Sequence, residues 1–176
     1  MLILRDMKQE DIEDYVRWFT KDTDWSDNWD APWEKIDTNE EEERKGWTEY
    51  FLNLKNLDKN RFHYKFEIEV DGVHIGWISS YYDLGYIDNP ANILAVGVDI
   101  PEITYRNKGY GTLALKKYME YLKGFNHKSI FIQTWSGNVA MIKVIEKIGF
   151  KEYHRKKDFR IVSNQKYDAI TYLLKL

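Results

Sequence analysis

The sequence predicts an α+β fold: one domain over residues 1–176, with a mixed, mostly antiparallel sheet of about seven strands and about four helices. Three observations carry this. Phe62–Val70 and Val73–Tyr82 alternate in polarity about Asp71-Gly72, a two-residue hairpin signal. Four other segments carry apolar residues at helical spacing. The second half of the chain reads strand, helix, strand, helix, strand, strand, which places helices between strands and ends on a hairpin. The length of 176 residues is that of one domain.

Leu2 to Leu4 is short and apolar and opens the sheet. Asp11 to Phe19 places Ile12, Tyr15, Val16, Trp18 and Phe19 near helical spacing. Residues 20 to 37 are acidic and hold Trp25, Trp29 and Trp33, with Pro32 interrupting, so a long ordered loop or broken helical piece is expected. Thr38 followed by Glu41 is a capping-box pattern and predicts a helix to about Leu57, with Trp47, Tyr50, Phe51 and Leu54 inward. In the first hairpin strand Phe62, Tyr64, Phe66, Ile68 and Val70 share one face; His63, Lys65, Glu67 and Glu69 share the other. Asn89-Pro90 marks a loop and Asn92 to Ile100 a mostly apolar strand. Gly109 to Lys123 is helical, its apolar face Leu113, Leu115, Tyr118, Met119 and Leu122. Ser129 to Thr134 is a strand, and Asn138 to Ile148 a helix bounded by Gly149. Phe150 to Val162 and Lys166 to Leu176 close the sheet around Ser163-Asn164-Gln165.

Composition removes several classes of chemistry. With no cysteine there is no disulfide, thiolate nucleophile or iron–sulfur cluster. His63, His74, His127 and His154 lie apart without ligand spacing, so no metal site is expected. The start lacks a signal-peptide pattern, and the apolar runs are far shorter than the roughly 20 residues that span a bilayer. A cytoplasmic protein with no membrane partner is expected. Charge is uneven: eleven acids stand between Asp22 and Glu49 against three cations, while Thr104 to Arg160 holds thirteen Lys and Arg against four acids. Such a dipole suits an anionic ligand at one end and a cationic one at the other, although two unequal solvated faces would look the same. A pI near 5.9 and lysines that frame a glycine loop speak against a nucleic-acid partner.

The informative segment runs from Val98-Asp99-Ile100 through Arg106-Asn107-Lys108-Gly109-Tyr110-Gly111-Thr112. A strand ends, a short loop follows, and a helix opens on two glycines beside cations. Glycines let backbone approach a ligand, and a helix's first turn offers unpaired N–H donors, so a phosphate-bearing ligand fits. A glycine turn before an ordinary helix is the plainer alternative. Gly109-x-Gly111-x-x-Ala114 also fits the dinucleotide fingerprint, but a hairpin precedes it and the next strand ends without an acid, which argues against that reading.

Arg106-x-x-Gly109-x-Gly111 resembles the pyrophosphate signature of the GNAT family of N-acetyltransferases. Thr134-Trp135-Ser136-Gly137-Asn138 with Glu146-Lys147-Ile148-Gly149-Phe150 resembles that family's second signature, and the order of elements agrees from Leu2 to Leu176. The Ser-Gly-Asn form with Met141 looks closest to the branch of ribosomal-protein alanine acetyltransferases. The resemblance implies splayed fourth and fifth strands and an enzyme, an acyltransferase moving an acetyl group from acetyl-CoA to a primary amine, of a small molecule or a protein N-terminus. A coenzyme A-binding module of the same fold with lost or altered chemistry is the alternative.

By that resemblance Val98 and Ile100 would meet the pantetheine amides, Arg106 to Thr112 the diphosphate, and Asn138 the pantetheine arm; Asn138 as a plain helix cap is the simpler reading. Asp99 and Glu102 are the candidate proton acceptors, unless Asp99 merely faces solvent or pairs with Arg106. The family's common tyrosine acid falls on Ile145, so either Ser136, or else Tyr153, is the candidate donor to the departing thiolate, or the thiolate leaves without one. Trp25, Trp29, Asp30 and Trp33 are the candidate wall for the amine, core packing being the other use of the tryptophans; Tyr167-Asp168 is a further possibility. Exposed edge strands would permit a homodimer.

Overall fold

The computed structural model describes residues 1–58, 61–82, 84 and 93–176. The expected Asn89-Pro90 loop and Asn92 lie outside these. Seven strands, β1 (Leu2–Arg5), β2 (Lys65–Val70), β3 (Val73–Tyr81), β4 (Ala95–Asp99), β5 (Ser129–Trp135), β6 (Lys151–Val162) and β7 (Gln165–Lys175), form one sheet in the order β1-β2-β3-β4-β5-β7-β6. Every neighbouring pair is antiparallel except β4 and β5. Those two are joined by the crossover helix α3 (Tyr110–Lys123), which parallel neighbours require. Helices α1 (Asp11–Thr20), α2 (Glu40–Lys55) and α4 (Val139–Ile148) complete the regular elements.

Both hairpin turns have positive φ at their two central residues, Asp71 and Gly72 in one, Ser163 and Asn164 in the other. That is the twist a two-residue connection needs. Helix α2 starts one residue later than the capping box suggests. Asn39, not Thr38, is the cap, its Oδ1 accepting from the N–H groups of Glu41 and Glu42 at 3.0 and 3.1 Å. On α3 the inward set is Ala114, Leu115, Tyr118, Met119 and Leu122, whereas Leu113 is exposed.

From β1 to β4 the sheet is covered on both faces, whereas β6 is largely exposed. Ile68, Val70, Ile78 and Val96 pack with α3 and with Ile145 of α4 in the main core. On the other face α1 and α2 bring Ile12, Tyr15, Trp18 and Phe51 against Trp25 and Trp77. The acidic residues of β2 therefore do not reach water: Glu67 is 1% exposed and Glu69 is 9%. Glu67 accepts from the Tyr15 hydroxyl at 2.5 Å, and Glu69 from Arg5 at 2.5 Å and Lys8 at 2.8 Å. Pairing is the condition on which such charges stay buried.

β4 and β5 share a single register pair, Ala95 with Phe131, reinforced by a Phe131 N–H to Leu94 carbonyl bond of 2.9 Å. Beyond Ala95, residues Val96 to Asp99 stay paired to β3 but have no described partner on β5. The sheet splits there, as the splayed strands of the sequence reading require.

Candidate functional site

A cleft of about 690 Å³ occupies the split. One end is the loop that opens α3. Asn107 and Gly109 both have positive φ (59° and 85°), which turns the chain sharply into the helix. The first intrahelical bond runs from the Leu113 N–H to the Gly109 carbonyl at 3.0 Å. The N–H groups of Tyr110, Gly111 and Thr112 precede it and carry the positive end of the helix dipole. Lys143 and Lys147, one turn apart on α4, line the same cleft. Sequence reasoning missed these two cations; their i, i+4 spacing just after the Asn138 cap was the available signal.

The two basic residues of the loop stand differently: Arg106 lines the cleft and Lys108 does not. Arg106 donates from Nε to the Ile100 carbonyl (2.8 Å), from Nη2 to the Pro101 carbonyl (2.9 Å) and from Nη1 to Asp24. Its guanidinium is thus spent on bracing the turn between β4 and α3. Lys108 is not part of the lining; its ammonium lies 5.6 Å from the Tyr105 ring centre.

The cleft runs past Val98, Asp99 and Ile100 on one side and Gln133, Thr134, Asn138 and Met141 on the other. Asn138 has both ends of its amide engaged. Oδ1 accepts from the Met141 N–H at 3.0 Å, which caps α4, and Nδ2 donates to the Trp29 carbonyl at 2.8 Å. The Trp135 indole donates to that same carbonyl at 2.8 Å. Gly137 makes this possible: a Cβ there would sit 1.7 Å from the Trp135 ring. These bonds fasten the segment after α1, which makes a single π-helical turn at Ser26–Asp30, across the end of the sheet.

Trp25, Trp29 and Asp30 accordingly wall the far end of the cleft. Trp33 does not. Its ring packs edge-on against Trp135, and the Arg160 guanidinium stacks on it at 4.1 Å. Trp25 is 7% exposed and also belongs to the core, so both expected uses of that residue apply at once.

Of the two candidate bases, Asp99 is half-buried in the cleft and Glu102 is outside it. Glu102 accepts from the Trp18 indole at 3.0 Å and pairs with Arg17, which removes it from the cleft. Burial, then the nearby Asp30, push the Asp99 carboxyl well above the usual carboxylate range; Lys65 and the Trp77 indole pull it back. Asp30 is raised too, by the surrounding walls and by Glu34.

Ser136 does not line the cleft, and its hydroxyl accepts the Asp168 N–H at 2.9 Å. Tyr153 is on β6, exposed, with its ring edge against Phe131. Asp168 is tied to Arg155 at 2.7 Å. Ile145 is fully buried in the core. The hydroxyl-bearing residues among those that line the cleft are Ser79, Tyr81, Tyr105, Tyr110, Thr112 and Thr134. Among the described residues no helix is long and apolar enough to cross a membrane.

Comparison with known proteins agrees with this geometry. The family model described as an acetyltransferase (GNAT) domain matches residues 1–151. No curated protein matches in sequence. Among solved structures, an N-acetyltransferase from Staphylococcus aureus superposes with a TM-score of 0.72 at 18% identity, over 99% of this chain and 98% of that one. A ribosomal-protein-S5-alanine acetyltransferase from Vibrio fischeri gives 0.74 at 20% identity, over 99% and 92%. A putative acetyltransferase from Salmonella typhimurium, solved with its cofactor acetyl-CoA, gives 0.72 at 15% identity, over 100% and 94%. At such identities the likeness is one of fold.

Proposed function

Since this chain belongs to the acetyltransferase (GNAT) domain family, we propose that it transfers the acetyl group of acetyl-CoA directly to a primary amine, with Asp99 accepting the amine's proton. The observation that carries the reading is the unbroken cleft from the N-terminus of α3, through the β4–β5 split, to Asp99. Bound there, acetyl-CoA supplies an activated thioester acetyl group.

The residues present fit such a ligand. The N–H groups of Tyr110, Gly111 and Thr112 suit the diphosphate, helped by Lys143 and Lys147. The edge of β4 at Val98, with Ile100 just beyond the strand, has no described partner on β5. It would offer backbone groups to the amides of the pantetheine arm as a neighbouring strand would, the Ile100 carbonyl already accepting from Arg106. Arg106, which lines the cleft, also holds the loop in shape through the Ile100 and Pro101 carbonyls. Trp25, Trp29, Asp30 and Asp99 line the far end, and their rings and carboxyl groups are what would meet a protonated amine entering there. An ammonium has no lone pair, so its proton must pass to a base before acyl transfer, and Asp99 is the carboxylate half-buried beside that position. The acceptor is the amine of a small molecule or of a protein N-terminus; the Vibrio likeness in fold makes ribosomal-protein N-termini a reasonable first panel.

Thermal melting with acetyl-CoA, followed by thiol release over a panel of amines and N-terminal peptides, tests the reading. Stabilisation and amine-dependent release are expected, and Asp99→Asn should keep the stabilisation while losing roughly 10²–10⁴-fold in kcat. A protein that saturating acetyl-CoA does not stabilise would overturn the assignment.

A further inference from the structure

The reaction as proposed makes no use of a buried cation behind Asp99. Cross-strand register places Lys65, Ser79 and Gly97 in one row, and Glu67, Trp77 and Asp99 in the next, on the face covered by α1 and α2. Opposed residues in such rows share a face, so Lys65 and Asp99 project into the same layer. The Lys65 side chain is only 14% exposed. Its ammonium lies 4.2 Å from the Tyr15 ring centre, 4.3 Å from Trp47, 5.3 Å from Trp77 and 5.4 Å from Tyr50. Glu67 Oε1 is 3.8 Å away, but the other oxygen of that carboxylate already serves the Tyr15 hydroxyl and His74.

A lysine enclosed by four rings loses hydration that one shared carboxylate at 3.8 Å restores only in part. The ring faces recover some of it. Burial brings the Lys65 ammonium down to about 8, opposed by Glu67, Asp99 and Asp11. It is still charged at neutral pH, inside a layer where leucine or methionine would pack without cost.

We propose that Lys65 is the fixed counter-charge of Asp99, a positioning residue that draws the cleft carboxyl toward its ionised form and so toward taking the amine's proton. The inference rests on the reading of Asp99 as the base. Other titratable groups of this layer include Asp30 and Glu34 on the segment after α1; Asp11, Asp14, Tyr15 and Arg17 on α1; Glu43 and Tyr50 on α2; Glu67 on β2; His74 on β3; and Glu102 against the Trp18 indole. Asp30 acts on Asp99 in the direction of protonation. His74 is held between Glu67 and Asp14, at 3.1 and 3.0 Å, so its charge is already matched. Lys65 is the cation that acts on Asp99 itself. Without it, burial and Asp30 would hold Asp99 further toward its protonated form, which cannot accept the amine's proton.

The test is a ¹³C NMR titration of the chain labelled at aspartate carboxyl carbons, with the Asp99 resonance identified by its absence in Asp99→Asn. In Lys65→Met the aliphatic stem still fills the ring box. The Asp99 midpoint is expected to rise by roughly one pH unit or more, a tenfold loss of ionised carboxylate at a fixed pH below it. Lys65→Arg keeps the charge and is expected to hold the midpoint near wild type. In turnover the acid limb of kcat/KM should move with the midpoint in Lys65→Met, while KM for acetyl-CoA stays put. Unaltered protein supplies its own check: the Asp99 resonance should show a second inflection near pH 8, where Lys65 gives up its proton. An Asp99 midpoint unmoved in folded Lys65→Met, or a wild-type resonance with no second step, overturns the pairing. These readings need no turnover, so a chain that pairs the two groups yet acetylates nothing would count against the proposed reaction and not against the pairing.

Discussion

His74 makes stability depend on pH in a window where ordinary carboxylates are silent. Its ring is 3% exposed, with Nε2 3.1 Å from Glu67 and Nδ1 3.0 Å from Asp14 and 3.4 Å from Asp11. Burial works against its protonation, but hydrogen bonds to Asp14 and Glu67, with the charges of Glu67 and Asp11, raise it from 6.5 to about 9. A histidine raised on folding contributes fully below pH 6.5 and loses that contribution as pH climbs toward 9. Each pH unit well inside the window is worth up to about 1.4 kcal/mol, and because the slope is only half-developed at pH 6.5, the loss between pH 6.5 and 8 is about 1.6 kcal/mol. Lys65 has the opposite sign: depressed to about 8 from 10.5, it adds stability only above pH 8, which sets the upper limit of the experiment. Urea unfolding at half-unit steps from pH 6 to 8 should show that decline in the wild-type chain. His74→Gln should be less stable at pH 6.5, and the difference between the two proteins should shrink as pH rises. The difference also cancels any slope from Asp99, which both retain. Two curves that run parallel would refute the assignment of charge to His74.

Two further outcomes follow from close contacts around the cleft. Gly137→Ala should lower Tm by several degrees, because its Cβ would meet the Trp135 ring and force it off the Trp29 carbonyl; the Trp135 environment, read by fluorescence, should change with it. An unchanged emission spectrum would show that the strap is held some other way. Arg106→Lys should cost about 1–3 kcal/mol of stability with no ligand present, since a lysine cannot serve two carbonyls and Asp24 together. A variant as stable as wild type, impaired only in acetyl-CoA binding, would mean that Arg106 meets the phosphates after all.

Local signals made the skeleton legible. Asp71-Gly72 fixed a hairpin because its two positive-φ positions suit Asp and Gly, and Asn138 and Gly149 bounded α4 because cap chemistry is local. The glycine loop led to the cleft for the same reason. What stayed hidden were facts about pairing over distance. Nothing near Arg106 in the chain announces that its partners are two carbonyls and Asp24, and Glu102 looked free until α1 brought Arg17 and Trp18 to it. Alternation in β2 showed two faces without showing that α1 and α2 cover the charged one, so Lys65 passed unnoticed. Trp33 and Trp29 lie in the same tryptophan-rich segment, and only the π-helical turn separates the residue that walls the cleft from the one that stacks on β5 and Arg160.

The outermost strand bears on how the chain behaves in a crowded solution. β6 runs twelve residues along the margin of the sheet, long enough to template a foreign strand. It is a poor template nonetheless. Its register slips between Glu152 and His154 and again between Lys156 and Arg160, and Asp158 has a positive φ, so the row of free amide groups is not straight. Lys151, Arg155, Lys156, Lys157 and Arg160 add mutual repulsion between copies. Straightening the strand by deleting one residue at the first slip and two at the second, with two of those lysines neutralised, would convert a guarded margin into an adhesive one, and fibrillar association would be the symptom to look for.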